Sequence, residues 1–222
     1  MADRIGLIFD LDGTLIDSAP DIHAAANKVF VSKGLQPFPF TVVRDFIGNG
    51  VGVLVSRLLA HQGLPASGDL HRAMVADFIM IYEEAVDLTV LYPGVADALQ
   101  HLSGLGHPMA ICTNKPEGPA RSILGHFGLL EHFAVLIGGE SLPQRKPDPA
   151  PLLAAQSRLA TSQVLFIGDS EVDAETATAA HVPLALYTQG YRKTPAEALG
   201  AKVIFDHFDA LPGLVAQLHG RM

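Results

Sequence analysis

The feature that most restricts what this chain can fold into is a set of six short apolar runs, at residues 5–9, 109–112, 135–137, 164–167, 184–187 and 203–205. Each is of strand length and nearly unbroken, whereas a strand with one face in water alternates apolar and polar residues. Unbroken runs belong to strands buried on both faces, a condition met in a parallel sheet covered by helices above and below. Segments with helical spacing lie between most of the runs, including 95–105, 119–127 and 149–159. Strand, helix, strand repetition predicts the α/β fold class, a doubly wound and mostly parallel sheet with right-handed crossovers.

One interval breaks this rhythm. From residue 16 to residue 88 there is no strand-like run, only helix-like segments at 22–32, 41–46, 51–61 and 70–86, with Gly34, Gly48, Gly50, Gly63 and Gly68 at their ends and turns. The reading is an inserted α-helical cap domain of residues 16–88 on an α/β core domain of residues 1–15 and 89–222. An insert placed directly after the first strand sits over the carboxyl edge of the sheet, where proteins of this class bind ligands.

Composition narrows the ligand. The formal net charge is −8, with no run of Lys and Arg, which argues against nucleic acid or an anionic membrane as partner. An anionic ligand would then need a local positive field made by a metal ion, a few placed cations and backbone N–H groups. Cys112 is the single cysteine, so no disulfide can close within the chain, and a reducing, cytoplasmic home is expected. The first residues do not read as a signal peptide, and no apolar run approaches the ~20 residues that span a bilayer. Monomer and homodimer both remain open.

The chemistry-bearing residues follow the strands. The first run ends in Phe9-Asp10-Leu11-Asp12-Gly13-Thr14, which delivers two carboxylates to one pocket. The fourth ends in Gly168-Asp169-Ser170-Glu171-Val172-Asp173, so acidic groups converge from two strands. Clustered carboxylates repel unless a cation compensates, and oxygen donors suit a hard ion such as Mg²⁺. The bland alternative for Asp169 is a helix cap. After the second run, Thr113-Asn114-Lys115 offers a hydroxyl, an amide and N–H groups to an anion, and after the third comes Arg145-Lys146-Pro147-Asp148-Pro149, with Lys146 as a point charge.

The order carboxylate pair, hydroxyl, lysine, carboxylate pair resembles the four motifs of the haloacid dehalogenase superfamily, over about residues 5–173. Beyond the motifs, Asp17-Ser18-Ala19-Pro20-Asp21, Tyr92-Pro93-Gly94-Val95, Ile137-Gly138-Gly139-Glu140 and residues 145–152 resemble the bacterial branch of that family that hydrolyses 2-phosphoglycolate. The resemblance implies a Rossmann-like core and a Mg²⁺-dependent phosphomonoester hydrolase whose ligand is a small phosphorylated metabolite. By the same resemblance Asp10 is the nucleophile, forming an aspartyl phosphate, and Asp12 the general acid and base. Asp10, Asp12 and Asp169 hold the metal, with Asp173 in or just outside its shell, and Thr113, Asn114 and Lys146 hold the phosphate. Thr14 fits a phosphatase better than a phosphomutase.

In the insert, Asp45-Phe46-Ile47-Gly48-Asn49-Gly50 is similar to the substrate-facing turn of that branch. Gly48, Asn49 and Gly50 are therefore candidates for the substrate loop, and Arg44, Arg57 and Asn49 for contact with a substrate carboxylate. Glu140 stands where the family usually has Asp. His23 reads as structural. A sugar phosphate, a muramic acid phosphate or pyrophosphate remains open as the substrate, as do a phosphomutase and a non-catalytic binding module.

Overall fold

The computed structural model describes residues 4–219. All six apolar runs form strands of one parallel sheet: β1 (Gly6–Phe9), β4 (Met109–Cys112), β5 (Phe133–Ile137), β6 (Val164–Gly168), β7 (Leu184–Tyr187) and β8 (Val203–Phe205), in the order β5-β4-β1-β6-β7-β8. A two-residue antiparallel pair, β2 (Ile16–Asp17) with β3 (Val90–Leu91), lies apart from it. Two residues per strand are too few for a sequence pattern to register.

The sheet buries both faces, and the period of two divides its side chains between two cores. Leu7 and Phe9 of β1, Met109 and Ile111 of β4, and Leu165 and Ile167 of β6 enter one cluster with helix α5 (Val95–Gly104), helix α6 (Glu117–His126) and helix α9 (Leu211–His219). Ile8, Ala110, Cys112, Val164 and Phe166 point the other way, into a cluster with helix α7 (Ala150–Leu159) and helix α8 (Glu171–Ala180). Full burial of each large aliphatic or aromatic side chain contributes about 1.5–3 kcal/mol, so a polar residue at any of these positions would be strongly disfavoured. This is why the runs are unbroken.

Register decides where the chemistry emerges. Phe9 is level with Ile111 on one side and with Ile167 on the other. The loops after β1, β4 and β6 therefore leave the sheet side by side. From β1 the chain builds outward through β4 and β5, then returns to the other side of β1 for β6, β7 and β8. The central strand is thus the reversal point, and the crevice beyond its carboxyl end is the expected ligand position.

The interval between β2 and β3 holds four helices, α1 (Ala19–Ser32), α2 (Phe40–Arg44), α3 (Val51–His61) and α4 (Asp69–Glu83). Each long helix buries one stripe: Ile22, Ala25, Ala26, Val29 and Phe30 on α1; Val51, Leu54, Val55, Leu58 and Leu59 on α3; Met74, Phe78 and Tyr82 on α4. These stripes form a third core, separate from the two that flank the sheet. His23 accepts its structural reading, with its Nε2 2.8 Å from the Phe38 carbonyl oxygen.

Where the chain crosses between helices and sheet it is tied down. Asp21 of α1 accepts from the Leu88 N–H and from the Thr89 hydroxyl. Tyr191 accepts the N–H groups of Ser18 and Ala19 at 2.9 and 3.0 Å and donates to Asp17 at 2.8 Å. Among the described residues, no helix is long and apolar enough to cross a membrane.

Candidate active site

Asp10, Asp169 and Asp173 are all buried, and one carboxylate oxygen from each lies within 4.8 Å of the others. At an effective dielectric of ~20, unit charges at that separation repel by about 3 kcal/mol per pair. Lys146 answers part of this, its Nζ lying 2.8 Å from Asp10 and 2.7 Å from Asp173. With all three carboxylates ionised and one lysine among them, the cluster keeps two negative charges. A divalent cation or protons must balance the remainder.

The titration of these groups reflects that excess. Burial, reinforced by the negative charges of Asp173 and Asp12, pushes Asp10 up to about 6 even though Lys146 pulls it down. Asp169 is held well above the ordinary carboxylate range by burial and then by repulsion from Asp173 and Asp10. For Lys146, burial works against the charge, but Asp10 and Asp173 outweigh it and hold its pKa above that of a free lysine. The donor set is all oxygen, buried and anionic, which fits a hard divalent ion such as Mg²⁺.

Local sequence makes the convergence possible. Gly13 has φ 90°, and a Cβ there would lie 2.6 Å from an Asp169 oxygen. A Cβ on Gly168 would meet Asp173 at 2.5 Å, and one on Gly190 would meet Asp169 at 2.1 Å. Glycine is required at such approaches. Thr14 donates its hydroxyl to Asp169 at 2.8 Å, and the Tyr191 N–H donates to the other oxygen at 2.6 Å. Asp169 is not the cap of α8. Ser170 occupies that position, and Asp173 accepts the Ser170 N–H at 3.1 Å, so Asp173 serves both the helix start and the cluster.

Asp12 belongs to a second group. Its Oδ1 accepts from the Ser18 hydroxyl at 2.5 Å and from the Lys115 ammonium at 2.9 Å. Lys115 is itself buried and also meets Tyr82 of α4, both at its hydroxyl and across its ring, with 3.9 Å to the ring centroid. Burial lowers the Lys115 pKa, and Asp12 restores only part of the loss. Thr113 is buried, and its hydroxyl oxygen accepts the Lys115 N–H at 3.2 Å, leaving its proton free to donate.

Several expectations need correction. The Asn114 side chain is not free for phosphate: its amide donates to the carbonyls of Gly48 and Lys146 at 3.0 and 2.9 Å, and its oxygen accepts the Lys146 N–H at 3.0 Å. It clamps the turn at Gly48 and the Lys146 loop together. Arg44 turns to the Gly190 carbonyl at 3.1 Å and lies over the Tyr191 ring, away from the cavity beside Asp12. Arg57 donates to the Phe46 carbonyl at 3.2 Å and, with Asn49, lines a wider opening of about 260 Å³ on the Asp169 side. Glu140, the departure from the family's Asp, accepts the first N–H of α6, from Glu117, at 2.7 Å.

Gly48 and Gly50 do reach the site, with φ of 117° and 84°. They line a cavity of about 40 Å³ between Asp10, Asp12, Thr113 and Lys115 below and Ile22, Val51, Leu54, Phe78 and Tyr82 above. Lys115, Tyr82 and Tyr191 were not singled out by the sequence. Lys115 carried one readable signal, a charged residue directly after a buried strand and the Thr-Asn turn; the tyrosines carried none.

Fold and site together define an α/β enzyme of the doubly wound type, with an acidic, lysine-supported pocket at the reversal point of its sheet. The chain belongs to the haloacid dehalogenase-like hydrolase family, whose pattern it matches over residues 7–187. It is 49% identical over 214 residues to a phosphoglycolate phosphatase of Cereibacter sphaeroides strain ATCC 17025, covering 96% of this chain and 98% of that one. It is also 49% identical over 209 residues to a phosphoglycolate phosphatase of Rhodobacter capsulatus, covering 94% and 95%. A crystal structure titled as a predicted phosphoglycolate phosphatase from Haemophilus somnus superposes with a TM-score of 0.88 at 31% identity, covering 96% and 98%.

Proposed function

We infer that this protein is a Mg²⁺-dependent phosphomonoester hydrolase acting through an aspartyl phosphate, and that its substrate is 2-phosphoglycolate, released as glycolate and phosphate. The observation that carries the chemistry is the meeting of Asp10, Asp169 and Asp173 around Lys146 at the end of the central strands. The substrate is taken from the relatives named above, which match along nearly the whole of both chains.

In this reading Asp10 attacks phosphorus and the alkoxide departs toward Asp12, which protonates it. Asp12 then removes a proton from the water that hydrolyses the aspartyl phosphate. Lys146 and the Thr113 hydroxyl hold phosphoryl oxygens as charge redistributes. Asp10 and Asp169 would hold the metal, with the backbone carbonyl of Asp12, and Asp173 supports them from the helix start. When bound, the ion supplies charge neutralisation at the phosphoryl group. The division into a core of residues 1–15 and 89–222 and a helical cap of residues 16–88 belongs to the same proposal, with the cap excluding water from the cavity. A monomer suffices for this site, and a cytoplasmic setting suits the single buried thiol.

The test is phosphate release from a panel of small phosphomonoesters with Mg²⁺ and with excess chelator. Hydrolysis of 2-phosphoglycolate in preference to sugar phosphates, lost on chelation, is expected. Preference for a bulky sugar phosphate would overturn the substrate, and metal-independent turnover would overturn the mechanism.

A further inference from the structure

Arg44 turns away from the cavity beside Asp12 and Arg57 lines the wider opening on the Asp169 side, so among the residues lining the cavity beside Asp12 the cation is Lys115. We propose that Lys115 is the specificity-determining residue that binds the carboxylate of the leaving group; this rests on the phosphoglycolate reading above and deepens it.

Three observations point there. First, the ammonium of Lys115 has three N–H donors, and among the described residues its side-chain partners are two, Asp12 and Tyr82. Burying an ammonium is costly, and an aliphatic residue would fill the space without that penalty. A buried charge with a donor to spare, lining a cavity, is built for a ligand anion.

Second, the distances agree with the chemistry. Asp12 must lie within hydrogen-bond reach of the leaving oxygen to protonate it. The carboxylate of glycolate begins one carbon beyond the carbon that bears this oxygen. Lys115 touches the same Asp12 carboxyl at 2.9 Å, so a leaving oxygen at Asp12 brings its carboxylate beside that ammonium.

Third, the cavity is small and, apart from the Tyr82 hydroxyl, apolar above. Its volume of about 40 Å³ corresponds to roughly three or four water-sized positions at ~10–15 Å³ each. Such a space favours a small substituent over a bulky one. Ile22, Val51, Leu54 and Phe78 on the facing wall offer an anion nothing, which leaves Lys115 as the cationic partner among the lining residues.

The experiment compares kcat/KM in Mg²⁺ for 2-phosphoglycolate, for 2-hydroxyethyl phosphate, in which CH₂OH replaces the carboxylate, and for an aryl phosphate whose leaving group needs little protonation. Wild type, Lys115→Met and Lys115→Gln are measured, the second variant being polar in case the first folds poorly. Aryl phosphate hydrolysis reports that the nucleophile and phosphate holders remain assembled. The proposal expects the wild-type preference for 2-phosphoglycolate over the hydroxyethyl ester to fall by about 30-fold or more in the variants, the scale of truncating one partner of a buried charge pair. If both alkyl esters slow equally and the preference survives, Lys115 only positions Asp12 and the proposal is wrong. A wild type without preference for the carboxylate would instead overturn the phosphoglycolate reading on which the proposal stands.

Discussion

Two lysines are buried within the same site, and their surroundings differ in one respect. Lys146 lies between two carboxylates, Asp10 and Asp173, which more than offset the burial of its charge. Lys115 has one carboxylate, Asp12, and a phenol, and burial prevails. The first is a counter-ion in an anionic cluster that still needs positive charge. The second is a cation that still needs negative charge. The proposed activity, with a metal at the phosphoryl group and an anionic leaving group beyond it, would use both kinds of incompleteness.

The comparison breaks most sharply at Asp10. Asp10→Asn should lower turnover by at least about 10⁴-fold, as loss of a nucleophile does, with the circular dichroism spectrum unchanged, because the substitution relieves repulsion and leaves Lys146 paired with Asp173. Substantial residual turnover would remove it as nucleophile. Next, Lys146→Met leaves two buried carboxylates uncompensated. It should destabilise the metal-free protein by about 3–5 kcal/mol in chemical denaturation, with part of the loss recovered on adding Mg²⁺. An equal loss with and without the ion would deny the metal a place beside Lys146.

A pH measurement sharpens the same contrast. Asp10 titrates at about 6 in the metal-free fold, above the ordinary 3.8, so its protonated form is the one that folding favours. Its contribution to metal-free stability is full below about 4 and is lost as pH rises through 6. Metal binding needs the ionised form and so strengthens over that interval, by up to about tenfold per pH unit. The raised Asp169 adds in the same direction. The rise in Tm on adding Mg²⁺ should therefore be larger at pH 7.5 than at pH 5, and an equal rise would argue that the ion does not displace protons from these carboxylates.

The smallest effect is expected at the clamp between the two halves of the site. Asn114→Ala removes three hydrogen bonds from buried or partly buried backbone groups, a loss of about 1–3 kcal/mol by denaturation. A loss confined to 2-phosphoglycolate, with Tm unchanged, would mean that the amide contacts substrate after all.

Much was legible in advance because it depends on near neighbours in the chain. The six apolar runs predicted the six strands of the main sheet, since burial on both faces leaves no position for a polar residue, and the helical stripes followed from the 3.6-residue period. Asp10, Thr113 and Asp169 were legible as a group because each directly follows a strand, and parallel strands in register bring their ends together. The pair β2 and β3 was missed because two residues carry no period.

What the amino-acid order alone determined, then, is the sheet, its helices and the acidic character of the sheet's carboxyl edge. Only tertiary structure decided which charges face one another there: Arg44 and Arg57 look as able to meet an anion as Lys115 does, yet Arg44 turns to the carbonyl of Gly190, 146 residues along the chain, and Arg57 to that of Phe46. Lys115 meets Tyr82 from a helix 33 residues earlier in the chain, and no local pattern records that contact. Strand and helix propensity are properties of neighbours, whereas the partner of a buried charge is set by whatever the folded chain places within about 3 Å of it.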